Sequence, residues 1–201
     1  MWINHEKEFV FIAVPKCGST SIAHSLGFTY FDNKPKIYHA SINDVREFDN
    51  KTTHYFSFGF VRNPFDRLVS VFMNGHQDRG HLLEWGGGLE SYDGNFERFV
   101  KDFPDSKWVS STHFLPCSYF VTTDENVSVD FVGKYENLKS DFEMISERFN
   151  INSELGIHHK SQRDRDYRKY YDNEMIEIVS TYYADDLENF GYSYDGDYTN
   201  E

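Results

Sequence analysis

Lys16, Gly18, Ser19, Thr20 and Ser21 stand within one short string, VPKCGSTSI, directly behind an apolar run. Such a set serves an anion. Lysine brings a full positive charge on a flexible stem, three hydroxyls donate hydrogen bonds, and glycine lets the backbone approach a ligand closely. A helix starting at this point adds unpaired amides and a partial positive charge. These are the parts of a phosphate cradle, although an ordinary capped turn uses the same residue types. The order is not that of the nucleoside triphosphate loop, in which glycine precedes the lysine and a hydroxyl after the lysine holds magnesium. No G-x-x-x-x-G-K-[ST] string occurs, so the turn calls for a phosphate ligand without an obligatory metal.

A second basic signal follows in FGFVRNPFDRLVS (58–70), which places Arg62 at the end of an apolar run and Ser70 about two turns into the next helix. A third is the stretch His158–Lys169, where five of twelve residues are Lys or Arg, offset by two Asp. By composition alone that stretch reads as a solvated turn with local ion pairs.

The elements that must position these residues are readable in outline. Residues 8–14 (EFVFIAV) and 54–61 (HYFSFGFV) have the unalternated apolar character of buried parallel strands. A helix is predicted from Ser19 to Leu26 with a hydroxyl cap and Gly27 beyond its end, and another from Pro64 to about Met73 with Phe65, Leu68, Val69 and Phe72 inward. Strand, turn and helix therefore occur twice. Parallel strands present their carboxyl ends on one sheet edge, so the Lys16 turn and Arg62 with Ser70 are expected to share a crevice. Further expectations are a short strand at 36–39 (KIYH), a Ser41-capped helix over 41–48, a helix over 95–100, strands at 120–123 and 129–134, a capping box at Ser140–Glu143, and one helix over 173–190 closed by Gly191.

The 201 residues suit a single domain over 1–201, and a net charge of −13 argues against nucleic acid or anionic lipid as a partner. No apolar run has the length of a membrane span and no secretory signal is evident, which points to the cytoplasm. Cys17 and Cys117 are too few for a disulfide framework and are expected to be thiols. His76, His81 and His113 match no zinc spacing, so no metal is expected.

PKCGSTS followed by RNPFDRLVS resembles the paired signature of sulfotransferases that use 3′-phosphoadenosine 5′-phosphosulfate (PAPS), most closely the carbohydrate branch. The similarity continues through VDFVGKYENLKSDF (129–142) and YYDNEMIEIVSTYYADDLENFGY (170–192). It implies an α/β fold with a three-layer parallel sheet flanked by helices, P-loop-like in its phosphate turn. It also implies that Lys16, Cys17, Gly18, Ser19, Thr20 and Ser21 hold the 5′-phosphosulfate and Arg62 and Ser70 the 3′-phosphate. Lys160, Ser161 and Arg163 would lie in a loop over the nucleotide. The implied partners are PAPS, with 3′-phosphoadenosine 5′-phosphate (PAP) as product, and a hydroxyl acceptor of the saccharide or glycan class. Given the acidic chain, a neutral or lightly charged acceptor fits better than a sulfated polymer.

Sulfuryl transfer to a hydroxyl needs charge stabilisation on the leaving phosphate, a task for Lys16, and a base of near-neutral pKa, most simply a histidine. The resemblance favours His39, in KIYHAS between the two motifs, over the reserve His113. A packed or capping histidine is the structural alternative for His39. Two other classes stay open at this point, a nucleotide or small-molecule kinase and a silent PAPS/PAP-binding module.

Overall fold

The computed structural model of the chain describes residues 2–28, 38–77, 88–123, 129–153, 155–156 and 163–196. Four strands, β1 (Trp2–Asn4), β2 (Phe9–Ile12), β3 (Phe56–Val61) and β4 (Phe131–Lys134), make one sheet in the order β1-β2-β3-β4. The helices are α1 (Ser19–Ser25), α2 (Ile42–Phe48), α3 (Pro64–Gln77), α4 (Phe96–Asp102), α5 (Cys117–Val121), α6 (Leu138–Arg148), α7 (Asn173–Tyr182) and α8 (Ala184–Phe190). The chain folds as two compact units. One comprises Met1–Arg62 with Cys117–His159 and the other Asn63–Pro116 with Lys160–Glu201.

The first unit holds the sheet. β2, β3 and β4 run parallel, with Ile12 opposite Gly59 and Val61 opposite Lys134. The buried run Phe9–Ile12 packs by aromatic contact, Phe11 lying 5.4 Å from Phe58 and Phe9 4.9 Å from Phe149 between ring centroids. A Cβ on Gly133 of β4 would come within 2.5 Å of the Phe60 ring, so this position accommodates only glycine at the present strand spacing. Asp130 accepts hydrogen bonds from the amide and hydroxyl of Ser57, tying the starts of β4 and β3 together. The sheet is thus mostly parallel and flanked by helices, but not wholly parallel. β1, which sequence analysis did not anticipate, joins antiparallel to β2 through a hairpin in which Asn4 accepts from the Lys7 amide.

The second unit is helical. Phe65, Leu68, Val69 and Phe72 of α3 are buried together with Phe99, Phe103, Phe114, Tyr167 and Val179, as the helical spacing of α3 predicts. Asn63 caps α3 by accepting from the Phe65 amide. Lys101 meets Glu97, Asp172 and Glu174 within 2.9 to 3.4 Å, fastening α4 to the start of α7. The carboxylates raise the pKa of Lys101.

Several predicted elements take another form. Phe120–Thr123 is not a strand; Cys117, Phe120 and Val121 fall on one buried face at helical spacing and form α5. Ser140 does not open a capping box, because α6 begins two residues earlier and the Ser140 hydroxyl donates back to the Asn137 carbonyl. The 173–190 helix is broken at Tyr183, whose buried hydroxyl donates to the Phe114 carbonyl. Within KIYH, Lys36 and Ile37 lie outside the described residues, and Tyr38 and His39 form a bend rather than a strand, their rings edge to face at 4.6 Å. α2 has the expected Ser41 cap, completed as a capping box by Asp44, and Gly191 ends α8 in the left-handed conformation.

Candidate active site

The turn between β2 and α1 is built on two left-handed residues, Lys16 at φ +64° and Gly18 at φ +79°. Glycine adopts this conformation without a Cβ penalty, and at Gly18 a Cβ would also press within 3.0 Å of Leu138 on α6. Sequence reasoning expected a hydroxyl cap on α1; the N-cap is Gly18 instead. Ser19 is the first helical residue, and its hydroxyl donates to the Val14 carbonyl, closing the turn rather than capping the helix. The first-turn amides of α1 have no intrahelical acceptors, by the geometry of any helix start.

Two side chains grip the backbone of this turn. Arg62, at the carboxyl end of β3, is buried at 6% exposure and donates from Nη1 to the Lys16 carbonyl at 2.9 Å. Its guanidinium lies 3.9 Å from the centre of the Tyr135 ring. Before the turn, the His39 Nδ1 lies 2.5 Å from the Ala13 carbonyl oxygen. A carbonyl can only accept, so Nδ1 carries the proton, which in the neutral form of the ring puts the lone pair on Nε2. His39, Lys16 and Arg62 are therefore brought together in the first unit, at the carboxyl ends of β2 and β3, as parallel pairing requires. Below the turn, the Cys17 sulfur lies 4.0 Å from that of Cys117.

The remaining predicted residues are placed as follows. Ser21 is buried in α1 and Thr20 is half-buried. Ser70 is buried within α3 and belongs to the second unit. His113, also in the second unit, sits in a turn whose backbone is held by Arg67, which donates to the carbonyls of His113 and Leu115. Arg163 pairs with Asp66 of α3, and Lys169 and Arg168 pair with Asp164 and Asp166. Those pairs give the described part of the basic stretch the locally neutralised character that its composition suggested. Lys160 and Ser161 lie outside the described residues. Among the described residues no cluster of metal-ligating side chains occurs, and no helix is long and apolar enough to cross a membrane.

Tyr135 and Leu138, which pack against Arg62 and Gly18, escaped the sequence reading. Tyr135 stands within KYENL, but nothing in that string says that its ring lies on an arginine more than seventy residues away.

The sulfotransferase family profile matches residues 1–193. The chain belongs to the sulfotransferase family. That match runs through both units and supports sulfuryl transfer as the chemistry. An uncharacterized protein of Archaeoglobus fulgidus is 27% identical over 115 residues, covering 57% of this chain and 84% of its own length. Carbohydrate sulfotransferase 14 of Danio rerio is 26% identical over an alignment of 175 positions, covering 73% of this chain and 47% of that protein. The chain thus spans about half the length of that relative. No solved structure matches.

Proposed function

We propose that the protein transfers the sulfuryl group of PAPS to a hydroxyl of a saccharide or glycan, with His39 as the base. The observation that carries this reading is the arrangement around the β2–α1 turn in a member of this family. His39 is held by its Nδ1–H on the Ala13 carbonyl just before the turn, and Arg62 is held on the Lys16 carbonyl within it. The donor set fits the ligand's chemistry, since an ammonium, a guanidinium, the Thr20 hydroxyl and helix-start amides all favour an anion.

When bound, PAPS supplies a sulfuryl group on a phosphate leaving group. Lys16 neutralises charge growing on the departing phosphate, and the α1 amides add to that stabilisation at no cost of reorganisation. His39 takes the acceptor's proton at Nε2, while its Nδ1–H stays with the Ala13 carbonyl and holds the ring in one orientation. Arg62 serves the 3′-phosphate in this reading, the role that the family resemblance implies for it. A saccharide acceptor is suggested by the name of the Danio rerio relative and rests on that similarity.

Calorimetry with PAP and a labelled-sulfate assay across an acceptor panel test the proposal together. Lys16→Ala should abolish useful PAP binding, whereas His39→Ala should bind PAP and lose turnover. Full activity in the His39 variant would transfer the base to His113. Binding of ATP as tight as that of PAP would remove the 3′-phosphate role of Arg62. A wild-type protein that binds PAP but turns over no acceptor would be a silent binding module.

A further inference from the structure

Cys17 and Cys117 come from distant parts of the chain and meet, fully buried, with their sulfurs 4.0 Å apart. Both belong to the first unit, Cys17 between the two left-handed residues of the turn and Cys117 as the first residue of α5. The sulfuryl-transfer chemistry uses neither sulfur. We propose that Cys17 and Cys117 form a reversible oxidation site, closed by a low-molecular-weight disulfide such as glutathione disulfide, whose product pins the Lys16 turn to α5.

A disulfide holds its sulfurs about 2.05 Å apart, so closure draws these two together by about 2 Å. The turn is the side that yields. Its Cys17 amide reaches the Val14 carbonyl only at 3.4 Å, longer than an ordinary backbone hydrogen bond, and Lys16 holds a conformation that L-residues visit sparsely. Movement of Cys17 carries its neighbour Lys16 along, and the Lys16 carbonyl leaves the 2.9 Å position in which Arg62 grips it. Oxidation thereby distorts the anion turn itself.

The chemistry balances with one named oxidant. A cysteine thiolate attacks one sulfur of glutathione disulfide, forming a mixed disulfide and expelling a glutathione thiolate. The second cysteine thiolate attacks the protein-side sulfur, the Cys17–Cys117 bond forms, and the second glutathione thiolate leaves. Two electrons pass from the cysteine pair to the oxidant, and the two thiol protons end on the two glutathione molecules. Because both sulfurs are buried, the reaction proceeds from an opened turn. The regulatory consequence rests on the proposed function, since a nucleotide seated on the turn holds it shut and slows the reaction.

The test incubates the wild-type protein with glutathione disulfide, blocks remaining thiols, maps cross-linked peptides by mass spectrometry and measures PAP affinity by calorimetry. A Cys17–Cys117 peptide is expected, with PAP affinity lowered about tenfold or more by a displacement of ångström size. Dithiothreitol should restore it, and Cys117→Ala should keep its affinity in the oxidant. Cys117→Val, closer in volume, serves if the alanine variant does not fold. Absence of the cross-linked peptide overturns the proposal, and so does a cross-linked protein with unaltered PAP affinity. If the reduced wild-type protein fails to bind PAP, the functional reading falls instead. The peptide map and the change of melting temperature on reduction then still decide whether the pair closes and moves the turn.

Discussion

Arg62→Lys separates two duties that one arginine performs. The guanidinium donates to the Lys16 carbonyl at 2.9 Å and lies 3.9 Å from the Tyr135 ring centre, in a nearly dry setting. A hydrogen bond from a charged donor is worth about 1.5–3 kcal/mol, and a desolvated cation–π contact up to about 2 kcal/mol. Lysine retains the charge but not the planar fork, so it keeps part of the ring contact and loses the carbonyl bond in its present geometry. The expected loss of unfolding free energy is about 1.5–3 kcal/mol, readable as a lower urea midpoint at constant m-value. The decisive assay is calorimetry with two ligands, PAP and adenosine 5′-phosphosulfate, which lacks the 3′-phosphate. If Arg62 only meets the 3′-phosphate, the substitution weakens PAP alone. If it also holds the turn, the 5′-only ligand weakens too, by about tenfold for each 1.4 kcal/mol of lost organisation. Unchanged stability together with unchanged affinity for the 5′-only ligand would refute the claim that the Arg62–Lys16 link organises the turn.

Other substitutions probe the same frame. Gly18→Ala forces a Cβ into the left-handed region and to within 3.0 Å of Leu138, so a loss of about 1–2 kcal/mol is expected in urea denaturation; wild-type stability would contradict the positive φ. Ser41→Ala removes the capping box of α2 at a cost of about 1 kcal/mol, checked by thermal unfolding, with Ser41→Asn expected to restore most of it. Burial pushes the Tyr171 phenol well above its ordinary value, with the neighbouring Tyr183 adding to the shift. Its folded pKa exceeds the unfolded value of about 10, so its contribution to stability is complete below that pH and declines above it. Tyr171→Phe should therefore flatten the fall in stability above about pH 10, and should lose about 1 kcal/mol at neutral pH with the bond to the Phe65 carbonyl. An unaltered alkaline slope would place the effect on other groups.

The parts of the fold that repeat a local rule were legible in the sequence. The two strand–turn–helix units, the inward stripe of α3, the Ser41 cap and the Gly191 stop each follow from residue type and spacing within a short window. Errors arose where a local preference met a tertiary partner. Phe120 and Val121 favour strands in isolation, but with Cys117 they form a buried helical face. Ser19 favours capping, yet its hydroxyl is used on the Val14 carbonyl. The same division applies to the candidate site. Lys16, Gly18 and Arg62 announce themselves as donors to an anion, and parallel pairing brings them to one sheet edge. Their mutual arrangement was not legible, because the Arg62–Lys16 bond, the Tyr135 stack, the His39–Ala13 bond and the sulfur contact of Cys17 all join segments far apart in the chain.

The short antiparallel strand Trp2–Asn4 shields the main-chain polar groups along the outer side of Phe9–Ile12, four residues that are apolar on both faces. Loss of the Trp2–Asn4 pairing would leave that segment as a bare template for pairing with a second molecule. Variants that weaken the Trp2 to Phe11 pairing should be screened first for self-association, before any loss of turnover is ascribed to the active site.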